Sequence, residues 1–186
     1  MKISNAQAHD APGALGMLEA CHARIRGFAQ LAGGLSTARN ASRAALSEGA
    51  AALLRYVSTA FVLHAGDEDQ LIAPLVHGRG LDGDAEGALR RLPSEHHQLD
   101  DRLAGLMPAW RALAEDPSPR VMVGPSLAAL SATFRAEVLA HMALEESALY
   151  PALRRAISPD EDAELVAAMR ARRIGARTTH EKRNLP

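Results

Sequence analysis

His64-Ala65-Gly66-Asp67-Glu68-Asp69-Gln70-Leu71-Ile72-Ala73-Pro74-Leu75 returns in altered form as His141-Met142-Ala143-Leu144-Glu145-Glu146-Ser147-Ala148-Leu149-Tyr150-Pro151-Ala152. Each phrase has a histidine, a glutamate four residues on, a second acid beside it, and an aliphatic residue two places before a proline. On a helix, residues four apart lie one above the other, so each phrase can offer an imidazole nitrogen and a carboxylate to one point. Two such points facing each other would hold a pair of metal ions.

The flanking residues predict that both phrases face inward. Val57, Phe61, His64, Glu68, Leu71 and Leu75 form one helical stripe, and Leu127, Leu130, Phe134, His141, Glu145 and Ala148 form another. Glu146 is turned about 100° from Glu145 by helix geometry, which makes Glu145 the inward acid. Each phrase also follows a helix with a histidine in its own apolar stripe. His22 stands among Leu15, Leu18, Ile25, Ala29 and Ala32, and His96 among Leu92, Leu99, Leu103 and Leu106, whereas His97 falls on the flank and reads as surface. The chain therefore reads as two similar helix hairpins, and such internal repetition is itself a signal about the fold.

The 186 residues are 47% apolar, enough for one well-buried domain. Aromatic residues are scarce, alanine and leucine abundant, and β-branched runs missing, which predicts an all-α protein. A net charge of -1 with dispersed basic residues gives no footprint for nucleic acid, the one basic cluster being the tail from Arg170 to Arg183. The N-terminal residues lack the apolar core of a secretory signal, and no stretch reads as long enough to span a bilayer. The expectation is a soluble cytoplasmic protein. A lone Cys21 suits a reducing compartment and reads as a small packed or flanking residue.

Turn and cap signals set the elements. Helices are expected at 12–35 and 41–76, then a short turn of helix at 85–92 interrupted by Pro93, with Ser94 capping a third long helix to about residue 115. The fourth should run over 124–156, and Ser158-Pro159-Asp160-Glu161 should open a short fifth helix ending at Gly175, before a disordered basic tail. This predicts one metal-binding domain over 12–157 and a C-terminal appendage over 158–186.

A single histidine in an apolar stripe is commonly just a hydrogen-bonded core residue. Four histidines and two glutamates on four helices are different, because burying them without a cation would carry a large desolvation cost. His22, His64, Glu68, His96, His141 and Glu145 are the candidate ligands. They exceed the needs of one tetrahedral zinc but suit two ions, each with two histidines and bridged by both carboxylates. Without thiolates, iron, manganese and zinc are the natural choices, with nickel and copper less common.

These residues resemble the hemerythrin-like, or HHE cation-binding, family. The match runs from about Leu15 to Leu153: a histidine in helix one, His-x3-Glu in helix two, Glu95-His96 in helix three and His-x3-Glu-Glu in helix four. The resemblance implies an up-and-down antiparallel four-helix bundle around two non-haem iron ions with an oxo or hydroxo bridge. In that reading His22, His64, His96 and His141 are terminal ligands, and Glu68 and Glu145 bridge the irons; zinc or manganese are alternatives. Oxygen carriers of the family have a fifth histidine, four residues from the helix-three histidine, where this chain has Leu92 and Asp100. Asp100 or Glu137 are alternatives for an extra oxygen ligand, although both read better as surface acids.

The implied function is the binding or sensing of a small diatomic ligand, O2 or NO, or of iron and redox state. Two alternatives stand beside it: a di-iron oxidoreductase or iron donor in oxidative or nitrosative stress, and a metal-stabilised interaction module. Relatives that repair iron centres usually add a cysteine-bearing N-terminal domain, which is not seen here. No protein partner, nucleic acid or membrane is implied, and a monomer or homodimer both fit.

Overall fold

The computed structural model describes residues 13–38, 40–117 and 125–183. Five long helices and no strand are found among them: α1 Ala14–Thr37, α2 Arg43–Val76, α3 Gly83–Glu115, α4 Pro125–Leu144 continuing through Tyr150–Ala156, and α5 Pro159–Arg183. Capping side chains start them where the sequence allows. Ser42 accepts from the Ala45 amide and Asp82 from the Ala85 amide, each satisfying an N–H that the first turn leaves without a helical partner. At α5, Ser158 and Glu161 form a reciprocal capping box, and Pro159 takes the first helical position.

Both metal phrases contain a widened π turn, over Glu68–Ile72 and Glu145–Leu149. The Ala73 amide donates to the Glu68 carbonyl and the Tyr150 amide to the Glu145 carbonyl, five residues back instead of four. Pro74 and Pro151 come immediately afterwards. A proline has no N–H, and its ring would strike the carbonyl four residues earlier in a regular α-helix, so inserting one residue into the turn relieves the conflict. The insertion advances the buried face by one. Beyond Glu68 the core residues are Ile72 and Val76, not Leu71 and Leu75; beyond Glu145 it is Leu149, not Ala148. Leu130 is likewise 40% exposed, while the adjacent Ser131 is buried.

Three further expectations are corrected. Pro93 does not interrupt α3: Asp82 caps the helix, and the Ser94 hydroxyl donates 2.8 Å to the Arg91 carbonyl. Leu89, Leu92 and Leu99 are buried on one stripe across the proline. At about 1.5–3 kcal/mol for each buried leucine, that packing offsets a proline cost of about 3 kcal/mol. The C-terminal appendage is not a short helix with a disordered tail from Ala176, since α5 continues to Arg183. Finally, Arg43–Val76 and Ser126–Ala156 are long enough and, at a mean hydropathy of 1.2, apolar enough to cross a membrane. Alanine and leucine dominate both, and both carry the buried histidine and glutamate of a metal phrase.

The core is layered. One apolar cluster gathers Ile25, Phe61, Leu99, Trp110, Val138 and Met142; the other gathers Leu18, Ile72, Leu92, Leu149, Leu153 and Met169. Five of the six predicted polar positions fall between the two, while His141 lies between Val138 and Met142 of the first cluster. His22 lies between Leu18 and Ile25, His64 and Glu68 between Phe61 and Ile72, His96 between Leu92 and Leu99, and Glu145 between Met142 and Leu149. The helix α5 closes one side. Its Arg172 Nε and Arg173 Nη1 lie 3.1 and 2.8 Å from the buried Asp67 carboxylate, and Asp162 accepts from the Ala14 amide at the start of α1.

Candidate metal centre

All six predicted residues are buried and meet in the polar layer. Ligating atoms of His22, His64, Glu68 and Glu145 lie within 4.8 Å of one another, and so do those of Glu68, His96, His141 and Glu145. The two groups share both glutamates. Glu145 sets one oxygen 3.0 Å from His22 Nε2 and the other 3.0 Å from His141 Nε2, while Glu68 Oε2 lies 3.6 Å from His64 Nε2 and 3.3 Å from His96 Nε2. Four helices thus contribute to two adjoining pockets of two imidazoles each.

The polar atoms at the centre crowd one another without well-formed hydrogen bonds. His64 Nε2, His96 Nε2, Glu68 Oε2 and both Glu145 oxygens are buried without a hydrogen bond. Buried polar groups are nearly always paired, because each unpaired one loses its hydration for nothing. Nitrogens and carboxylate oxygens converging in this way are the donor set that a borderline or hard cation takes up. The residues fit a pair of metal ions.

Outside the pockets, three of the four imidazoles are held by a carboxylate at the far ring nitrogen. His22 Nδ1 meets Glu146 Oε1 at 2.7 Å, His141 Nδ1 meets Glu95 Oε2 at 2.7 Å, and His96 Nδ1 lies 3.0 Å from both oxygens of Asp69. Such outer carboxylates fix the tautomer and ring orientation of a metal-ligating histidine. The second acid of each phrase therefore serves the histidine of a different helix. Glu146 is in turn gripped by Arg26 at 2.6 Å. His64 is the exception, with no partner at Nδ1 among the described residues.

Ionisation follows these contacts. Burial works to lower His96, but Asp69 and Glu68 outweigh it and lift the imidazole to about 10. His64, with burial dominant, is pushed down to about 4. Burial also works to raise Glu145, yet His141 and His22 hold it at about 2.

Sequence reasoning missed Tyr150, which is buried against the centre with its hydroxyl 2.9 Å from both Glu68 Oε1 and His22 Nε2. Burial and the carboxylates of Glu68 and Glu145 push its phenol far upward. The proline after it, sign of the π turn, was the available signal. The weaker candidates lie elsewhere: Asp100 is exposed, and Glu137 pairs with Arg102 at 2.9 Å. His97 is exposed as expected, and Cys21 is buried beside the Arg24 guanidinium.

Residues 14–153 match the family described as the hemerythrin HHE cation-binding domain. The match takes in all four helices that contribute to the centre, and the chain belongs to that family. No curated protein and no solved structure matches the chain significantly.

Proposed function

We propose that this member of the hemerythrin HHE cation-binding family is a non-haem di-iron protein that binds or senses a small diatomic ligand, O2 or NO. His22 and His64 would hold one iron and His96 and His141 the other, with Glu68 and Glu145 between them and α1–α4 arranged as an up-and-down bundle. The observation that carries this reading is the set of converging buried donors, most without a hydrogen bond, shared by two adjoining pockets. When bound, a pair of irons supplies electrons that a diatomic ligand can take up and return.

The residues around the centre do the rest. Glu95, Asp69 and Glu146 hold three imidazoles in the tautomer that presents Nε2 inward. Apolar layers above and below keep bulk water from the polar layer, which strengthens every charge interaction inside it. The case for sensing rests on Asp67, which adjoins Glu68 and pairs with two arginines of α5. A change at Glu68 has a short path to that helix.

Metal analysis with absorption spectra, recorded without air and after admitting O2 or NO, tests the proposal. Two irons per chain and a ligand-dependent, reversible spectral change are expected. One zinc per chain, or iron whose spectrum ignores both gases, would contradict it. Sustained turnover of peroxide or NO would favour the oxidoreductase reading.

A further inference from the structure

The π turn in α4 brings one more oxygen to the centre. Tyr150 stands five residues after Glu145, which in a regular α-helix would place it about 140° away around the axis. Widening the turn by one residue carries it back to the face of Glu145. Its side chain is 1% exposed, and its Oη lies 2.9 Å from His22 Nε2 and 2.9 Å from Glu68 Oε1.

Hydrogen bonding accounts for this cluster only in part. The phenol gives its one hydrogen to Glu68 Oε1, so toward His22 Nε2 its oxygen can only accept. His22 Nδ1 is engaged by Glu146, so its single hydrogen or lone pair at Nε2 is approached by both Tyr150 Oη at 2.9 Å and Glu145 Oε2 at 3.0 Å. A single N–H there serves the two oxygens only as a shared, weakened bond. Donors at right angles around one cation, each about 2.1 Å from it, lie about 3.0 Å apart, and these separations have that value.

We propose that the Tyr150 oxygen is a ligand of the metal held by His22 and His64. On coordination the phenolic O–H bond breaks, an oxygen–metal bond forms, and the proton leaves to the buffer. That ion then has five protein donors and its neighbour four. The repeat shows why, since the position of Tyr150 in the first phrase is occupied by Ala73, which has no oxygen to offer. The metal at His96 and His141 is thereby left the more open to an external ligand, and a cavity of about 330 Å³ lies against His141 between Glu95, Leu99 and Leu144.

The inference rests on the di-iron reading, and its test separates the two. The full chain is loaded with iron and oxidised, iron per chain is measured, and visible and resonance Raman spectra are recorded. A phenolate on ferric iron gives a visible charge-transfer band and enhanced ring vibrations that imidazole and carboxylate ligands do not. The chain has two tyrosines, Tyr56 and Tyr150. The signature should be present in the wild type, lost in Tyr150→Phe with two irons retained, and kept in Tyr56→Phe. Two irons without the signature in the wild type, its survival in Tyr150→Phe, or its loss in Tyr56→Phe would overturn the ligand while the di-iron centre stands. A protein that takes up no iron would overturn both. Should Tyr150→Phe fail to fold, the wild type and Tyr56→Phe spectra still decide.

Discussion

Glu95 is the cleanest place to ask whether the outer carboxylates tune the centre. Its Oε2 lies 2.7 Å from His141 Nδ1, it is 26% exposed, and Arg91 approaches it at 3.6 Å. A hydrogen bond to a charged group is worth about 1.5–3 kcal/mol, and partial exposure puts this one near the lower end. Removing it by Glu95→Ala frees the imidazole to rotate and lowers its basicity. At about 1.5–2 kcal/mol the affinity for the more weakly held metal should fall about 10–30-fold, within the range known for outer ligands. Glu95→Gln keeps an acceptor of similar shape and removes only the charge, so its loss should be several-fold smaller. The assay is a competitive chelator titration of the loaded protein, read as metal retained per chain. Glu137→Ala is the control, because Glu137 borders the same cavity and precedes His141 by one helical turn, yet binds Arg102 instead. Equal losses in the Gln and Ala variants, or a loss in Glu137→Ala as large as in Glu95→Ala, would refute the reasoning.

The other predictions concern the inner residues. Glu145→Ala should reduce bound metal below two per chain and, in chelator-treated protein, cost about 3 kcal/mol in urea unfolding, because it strands two buried imidazoles. Retention of both metals would place the ligands elsewhere. The chelator-treated protein should also have a defined pH optimum. Glu145, held down at about 2, stabilises the fold above pH 4.5 and loses that contribution as pH falls toward 2. His96, lifted to about 10, stabilises it below pH 6.5 and loses that contribution as pH rises toward 10. His64, pushed down to about 4, adds a cost as pH falls below 6.5. Thermal midpoints measured across this range should peak near pH 6, and a profile still rising at pH 9 would contradict the assignment.

The buried histidine and glutamate cluster was legible because it obeys α-helical spacing up to each glutamate. His22, His64, His96 and His141 sit in apolar stripes that the structure buries through Glu68 and Glu145, except for half-buried Leu127 and exposed Leu130. Past those glutamates the periodicity breaks, and so did the reading: Leu71, Leu75 and Ala148 were placed inward where Ile72, Val76 and Leu149 are. The proline in each phrase falls inside an expected helix, 41–76 or 124–156, and its effect is felt one turn earlier, in the backbone it forbids. Tyr150 was lost for that reason alone. The outer carboxylates were lost for another. A helical wheel places Asp69 and Glu146 off the inward stripe, which is correct, but cannot show that a neighbouring helix brings its histidine to meet them.

What distinguishes the two halves of the repeat is as informative as what they share. The phrases agree at the histidine, the glutamate, the second acid and the proline, and the structure gives those positions matching roles around a near-symmetric pair of pockets. Of the positions at which they differ, two bear directly on the centre. The residue before the glutamate is Asp67 in the first phrase and Leu144 in the second, and only Asp67 can hold the α5 arginines. The residue five after it is Ala73 in the first and Tyr150 in the second, and only Tyr150 can reach the centre with an oxygen. Both differences converge on Glu68, whose helix neighbour Asp67 anchors α5 and whose Oε1 accepts from Tyr150. In the proposed centre the symmetric features would account for holding two ions, and the asymmetric ones would make those ions inequivalent and connect Glu68 to the fifth helix. A symmetric repeat would suffice for metal storage, so these two departures favour a centre that responds to what binds it.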